Sequence, residues 1–202
     1  MIHEQDRMLA LMKELLGDDF MHLEVVGYDL HEDFTRSETL IACKIKDNRT
    51  QDVTTIEGRG VGMIDAFFHG LLDRLSREYP SLQTISIDKF SVDGNMGSGR
   101  EHNRADAMAQ VTLGIKNSSG AHFEFTHESR SVTRSGIEAT LRAAEYFVNS
   151  ERAFVATFRA LKSSRQQNRN DLVVRYTDLM SRLVRNTSYS EVIENIRKEV
   201  GG

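Results

Sequence analysis

Residues 56–75 read IEGRGVGMIDAFFHGLLDRL: three glycines at alternate positions, Gly58, Gly60 and Gly62, run into an apolar segment. Ile64, Phe67, Phe68, Leu71, Leu72 and Leu75 then recur at i, i+3, i+4, i+7, i+8 and i+11. That spacing makes one continuous apolar helix face. It predicts a helix over 63–79, stopped by Pro80, which has no N–H to continue the ladder. The glycine doorway leaves two readings open. Glycines let a backbone come close to a ligand, and the free N–H groups of a helix start attract a carboxylate or phosphate. The same residues also serve a tight strand-to-helix turn that holds nothing. The doorway is not a dinucleotide fingerprint, because the last glycine of G-x-G-x-x-G comes too early and, counted from Gly60, Asp65 stands where it is needed. Nor is it a P-loop, since no Gly-Lys-Ser/Thr follows.

Working outward, strands are expected over 40–46 and 52–57, joined by a polar turn at 47–49. Before them come a helix over 3–16, ended by Gly17, and a strand over 23–29. After Pro80 a strand over 84–92 leads into the glycine-rich, charged loop DGNMGSGREHNR. Ala107, Ala109, Val111, Leu113 and Ile115 then alternate as a strand with one buried face. NSSG makes a turn, Phe123 and Phe125 mark another alternating strand, and Ile137, Leu141, Ala144 and Val148 share one side of a second helix. At an offset of 73, Met63-Ile64-Asp65-Ala66 lies over Gly136-Ile137-Glu138-Ala139. The chain thus holds two copies of a strand, strand, helix unit, each with a further strand beside it. The expected fold class is α+β: two βββα-like repeats forming antiparallel sheet with helices packed on one face, plus an N-terminal helix and a C-terminal helical tail. Residues 1–37 are the helix and lead-in strand, 38–150 the duplicated domain, and 151–202 a helical extension with segments at 153–161, 172–184 and 190–200 around the polar hinge KSSRQQNRND.

Composition excludes several classes. At 202 residues with 39% hydrophobic and 28% charged residues, the chain has enough apolar content for a sizeable core. No apolar run approaches the roughly 18 residues a membrane span needs, and the start MIHEQDRMLALMKELLGDD is too charged for a secretory signal, so a cytoplasmic location is expected. The single cysteine, Cys43, excludes an internal disulfide and reads as a buried strand residue. Among seven histidines, His122 and His127 point to opposite faces of one strand, and neither H-x-H nor H-E-x-x-H occurs. No metal, cofactor or catalytic group is therefore expected. Net charge is -4, but residues 150–202 carry ten Lys and Arg against six Asp and Glu. Arg152, Arg159, Arg165 and Arg175 lack aromatic interleaving, which argues for solvated helix faces rather than nucleic-acid binding.

The pattern resembles the C-terminal regulatory domain of 2-isopropylmalate synthase, shared with citramalate synthase, which binds the end-product amino acid and inhibits a catalytic barrel. The signature Gly-x-Gly-Pro-Val-Asp-Ala is similar to Gly60-Val61-Gly62-Met63-Ile64-Asp65-Ala66. A Leu-x-Asp-Tyr-x-Val strand is similar to Ile87-Asp88-Lys89-Phe90-Ser91-Val92, and Asp-Ala-x-Ala-x-Val to Asp106-Ala107-Met108-Ala109-Gln110-Val111. The second helix, opening Ile-Glu-Ala-Ser, resembles Ile137-Glu138-Ala139-Thr140. The four motifs keep order and spacing over about residues 38–150. The departures are Met63 for the proline, Phe90 for the tyrosine, Ser131-Val132-Thr133 for the second glycine-containing turn, Ser135 for an aspartate, and no catalytic barrel. The resemblance implies a non-catalytic module that binds a branched-chain amino acid, leucine foremost, forms a homodimer and can partner a separate catalytic synthase subunit. It places the pocket at Gly60, Gly62, Ile64 and Asp65, with Ile87 and Phe90 from the strand, Ala107 and Ala109 leaving room, and Ile137 from the second helix. The alternative is a dimeric interaction scaffold with a vestigial pocket.

Overall fold

The computed structural model describes residues 2–95 and 108–186. Ala107, most of the glycine-rich loop and the helix expected over 190–200 lie outside the described residues. The elements in order are α1 (Ile2–Leu16), β1 (Leu23–Asp33), β2 (Glu38–Asp47), β3 (Val53–Gly60), α2 (Met63–Leu75), β4 (Ile85–Asn95), β5 (Met108–Asn117), β6 (His122–Ser129), α3 (Val132–Gln166) and α4 (Asn170–Asn186). Gly17, at φ +52°, ends α1 as expected.

The fold is the expected α+β duplication. Two antiparallel sheets of three strands, ordered β1-β2-β3 and β4-β5-β6, each carry a helix on the inner face. Both first strands break register at the same place, between Val25 and Gly27 and between Ile87 and Lys89. The shared bulge fixes the equivalence of the units: Ile45 matches Ile115, and Gly60, opposite Thr39, matches Ser129, opposite Ala109. The helix N-caps, Gly62 and Ser131, stand 69 residues apart. The offset of 73 read from the sequence is therefore longer by four residues, about one helical turn, which leaves the apolar faces in phase. One core runs through both units, with Ile41, Cys43, Ile56, Phe67 and Leu71 from the first and Val111, Leu113, Ile115, Ile137 and Phe147 from the second. Burying a side chain such as Phe67 or Phe147 contributes roughly 1.5–3 kcal/mol.

Two of the doorway glycines belong to β3 and not to a loop. A Cβ at Gly58 would lie 1.9 Å from the Ala66 carbonyl oxygen, and one at Gly60 would lie 2.3 Å from the Asp65 carboxylate and 2.6 Å from Ala66 N. From the other side, a Cβ at Gly70 would lie 2.6 Å from the Glu57 carbonyl oxygen. The helix backbone therefore rests directly on the strand backbone, an approach only glycine permits on both sides. Gly62 differs: it is extended, at φ −162°, and nothing lies within 4 Å of its Cβ position.

α3 is one helix of 35 residues, running through the polar positions Asn149-Ser150-Glu151 and across the boundary expected at 150. Asn149 and Glu151 are polar because they hold backbone groups ahead of the first strand of each unit. Asn149 accepts from Met21 N at 2.7 Å and donates to Met21 O at 2.8 Å, so its amide acts as a strand neighbour. Glu145 accepts from Leu23 N, and Glu151 accepts from Ser81 N at 3.0 Å. All three side chains are buried.

Gly58→Ala is expected to destabilise the fold by about 3 kcal/mol, since neither backbone can yield, whereas Gly62→Ser stays within about 0.5 kcal/mol of the parent because serine is a good N-cap. Urea unfolding followed by circular dichroism distinguishes the two. Asn149→Ala leaves the Met21 N–H and C=O without their partner and is expected to lower stability by roughly 2–4 kcal/mol in the same measurement.

Candidate functional site

The doorway is held by its own helix. Ala66 N donates to Gly62 O at 2.9 Å, the first turn of α2, and Val61 N donates to the Asp65 carboxylate at 3.0 Å. Asp65 thus reaches back across the N-cap, and its negative charge suits the positive end of the helix. His69 Nδ1 stands 3.6 Å from the other oxygen of the same carboxylate.

Several of the residues implied by the resemblance converge on the first turn of α3. Ile64 and Met63 press on Gly136, whose Cβ would lie 2.6 Å from Ile64 Cδ1 and 3.0 Å from Met63 Cε. Ile137 follows, fully buried. From the second sheet, Ala109 is buried and its carbonyl accepts from Ser135 Oγ at 3.0 Å, with Ser129 Oγ 2.8 Å from the same hydroxyl. Ile64 and Ala109 therefore reach one place from different units. Ile87 packs half-buried against the core. Phe90 lies beyond the cover of α3, opposite Leu113 and 48% exposed. Ala107 is outside the described residues.

A cavity of about 410 Å³ lies elsewhere, between α1, the α1–β1 connection, β6 and α3. Leu9, Phe20, Phe125 and Tyr146 supply its apolar surface; Gln5, Asp6, Lys13, His22, Glu124, Arg142 and Glu145 are among its polar lining. None of the eight described residues carried over by resemblance lines it. Its floor is stiff: Phe125 and Tyr146 meet edge to face at 5.6 Å between centroids, and Phe123 and Phe147 complete the cluster. Gln5 closes one side by pairing with the free edge of β6, donating to Glu124 O at 3.0 Å and accepting from Glu124 N at 3.3 Å. Arg142 donates to Thr126 O, farther along the same edge, at 2.7 Å. Lys13 lies over the Phe20 ring, 5.5 Å from its centroid. These side chains come from segments far apart in sequence, so no local motif announces them.

Three titratable groups have environments of note. His22 Nδ1 is 3.1 Å from Glu145 Oε1, and this hydrogen bond raises the His22 pKa above its usual value against the opposing effect of burial. His127 is shifted down, chiefly by burial and then by Arg142, and its Nδ1 is buried without a partner among the described residues. Burial pushes the Cys43 thiol up to about 11, which keeps it a protonated core residue at neutral pH, as its alternation with Ile41 and Ile45 implies. Among the described residues no group of three or more His, Cys, Asp or Glu could hold a metal ion, and no helix is long and apolar enough to cross a membrane. No family model matches the chain, and no curated protein matches it significantly.

His22 carries a pH dependence of defined sign. Its folded pKa is raised, so its stabilisation is complete below the unfolded value near 6.5 and is lost as pH rises through the folded value. His127, shifted the other way, contributes with opposite sign. The difference in Tm between the parent and His22→Gln is expected to be largest at pH 5.5 and to shrink by pH 8.5; a difference independent of pH would show that Glu145 does not favour the charged imidazole.

Proposed function

We propose that this chain is a non-catalytic regulatory module that binds a small branched-chain amino acid, leucine foremost, and works as a homodimer, with a separate catalytic synthase subunit as a possible partner class. The observation that carries the reading is the duplicated βββα architecture with its matching bulges, which is the fold that the four motifs imply. The convergence of Ile64, Ala109 and Ile137 on one helix turn agrees with it. A regulatory module needs a rigid frame and one ligand-sensitive place. The stiff glycine contact in the first unit and the mixed apolar and charged hollow in the second supply both.

A second reading, a dimeric interaction scaffold with a vestigial pocket, is favoured by one specific feature: Met63 and Ile64 press on Gly136, while Asp65 occupies the Val61 N–H at the doorway. Both readings are non-catalytic, and ligand binding separates them.

Titration calorimetry with leucine, isoleucine and valine, beside light scattering, tests the proposal. The expected result is saturable binding strongest for leucine, added stability of about 2.7 kcal/mol at a leucine concentration 100 times Kd, and a mass twice the 22.9 kDa chain. A dimer with no heat and no thermal shift at millimolar concentrations of all three would leave the scaffold reading.

A further inference from the structure

We infer that the cavity between α1, β6 and α3 is a binding site for a small amphipathic carboxylate, of which a branched-chain amino acid is one member. The inference rests on the amino-acid reading only for the ammonium group; the carboxylate and the apolar body follow from the cavity itself.

The volume of about 410 Å³ lies within the range of roughly 300–1,000 Å³ common for small-molecule sites. Leu9 stands off the fully buried face of α1, which is made by Met8, Leu11 and Met12, and it remains half-buried at the cavity wall. Phe20 is half-buried beside it. An apolar body placed over the buried Phe125 and against Leu9 and Phe20 would complete the burial of the latter two, which the fold leaves partly wet.

The charges sort by what already occupies them. Glu145 holds Leu23 N and His22, and Glu124 holds Lys89 at 2.8 Å. Lys13 and Arg142 line the cavity, and neither is ion-paired among the described residues. Each is nonetheless placed: Lys13 by the Phe20 ring, Arg142 by the Thr126 carbonyl. Lys13 and Arg142 are solvent-exposed, so two positioned cations at the mouth of an apolar hollow form a receptor for a carboxylate that stays at the mouth while its tail enters the hollow. Asp6, on α1 about two helical turns before Lys13, is the remaining acid of the lining without an ion pair among the described residues and the natural partner for an ammonium.

The test uses three probes of one shape: leucine, 4-methylpentanoate, which lacks the ammonium, and 3-methylbutylamine, which lacks the carboxylate. Calorimetry is run on the full chain and on Arg142→Gln, Lys13→Gln, Leu9→Trp, which fills the cavity, and Gly62→Val, which obstructs the doorway; circular dichroism melts establish that each variant is folded. Leucine and the acid are expected to bind and the amine not. Arg142→Gln and Lys13→Gln should each weaken binding about tenfold, Leu9→Trp should abolish it, and Gly62→Val should leave it unchanged. Lys13→Gln and Leu9→Trp keep the test decisive if Arg142→Gln fails to fold for loss of the Thr126 contact. Binding of the acid without leucine would uphold the cavity and remove the amino-acid reading. Leucine binding that only Gly62→Val abolishes would do the reverse, placing the ligand at the doorway. Equal binding of acid and amine, or no binding of any probe, overturns the inference.

Discussion

The joint between the two units is the constraint on which the rest of the structure depends. Each sheet with its helix is locally complete, but a second helix that covers only its own sheet would leave the first unit unanchored. Asn149 removes that freedom by giving Met21 both a donor and an acceptor, while Glu145 takes Leu23 N and Glu151 takes Ser81 N. The contacts fall at Met21 and Leu23, where β1 begins, and at Ser81, four residues before β4, so they set where the first strand of each unit begins. Such groups add little net free energy when satisfied and cost much when one partner is removed. Their effect is to make one placement of the units far better than its neighbours, which is specificity more than adhesion.

Burial of carboxylates at this joint has a consequence for its charge. Glu151 is 5% exposed, and burial raises its pKa although the Ser81 N–H works to lower it. A raised carboxyl contributes stability below its unfolded pKa that is lost as pH rises through the folded value. The joint therefore favours mildly acidic solution at Glu151, in the same direction as His22 and against His127. Arg152, next along α3, reaches Tyr79 OH at 3.3 Å and stands 3.9 Å from Asp19, so the clamp continues into an exposed ion pair of small energetic weight.

How far the fold could be read from residues follows from whether each signal was local. The apolar face of α2 was legible because its spacing depends on the helix alone, and the alternation of Val111, Leu113 and Ile115 was legible for the same reason. β3 was read as ending at Glu57 because glycine is a poor strand former, yet Gly58 and Gly60 extend the strand because a helix backbone lies against them. The boundary expected at 150 falls inside α3, since a polar residue satisfied by a distant backbone carries no mark in the sequence. The cavity was invisible for a stronger reason: Gln5, Lys13, His22, Arg142 and Tyr146 meet only after the chain has folded back across more than a hundred residues.

The two units also explain why the hollow against the helix of the second, about 410 Å³, is roomier than that between the first sheet and α2, about 100 Å³. In register, Gly58 of β3 corresponds to His127 of β6, Gly60 to Ser129, and Ala66 of α2 to Ser135 of α3. Where the residues are glycine and alanine, the helix drops onto one strand, and α2 lies chiefly along β3. Where they are histidine and serine, side chains stand between the layers, and α3 straddles β5 and β6 instead. β6 is an edge strand, so the backbone groups of its outer edge have no strand partners in the sheet. Gln5 and Arg142 supply them at Glu124 and Thr126 with side chains rather than a fourth strand. A side chain fills less width than a strand, so α1 bridges the gap without filling it, and the space beneath is the cavity lined by Leu9, Phe20, Phe125 and Tyr146. The glycines of residues 56–75 thus shape the site by their absence from the second copy: the unit that kept them leaves only a small hollow beside its own helix, and the unit without them has more room.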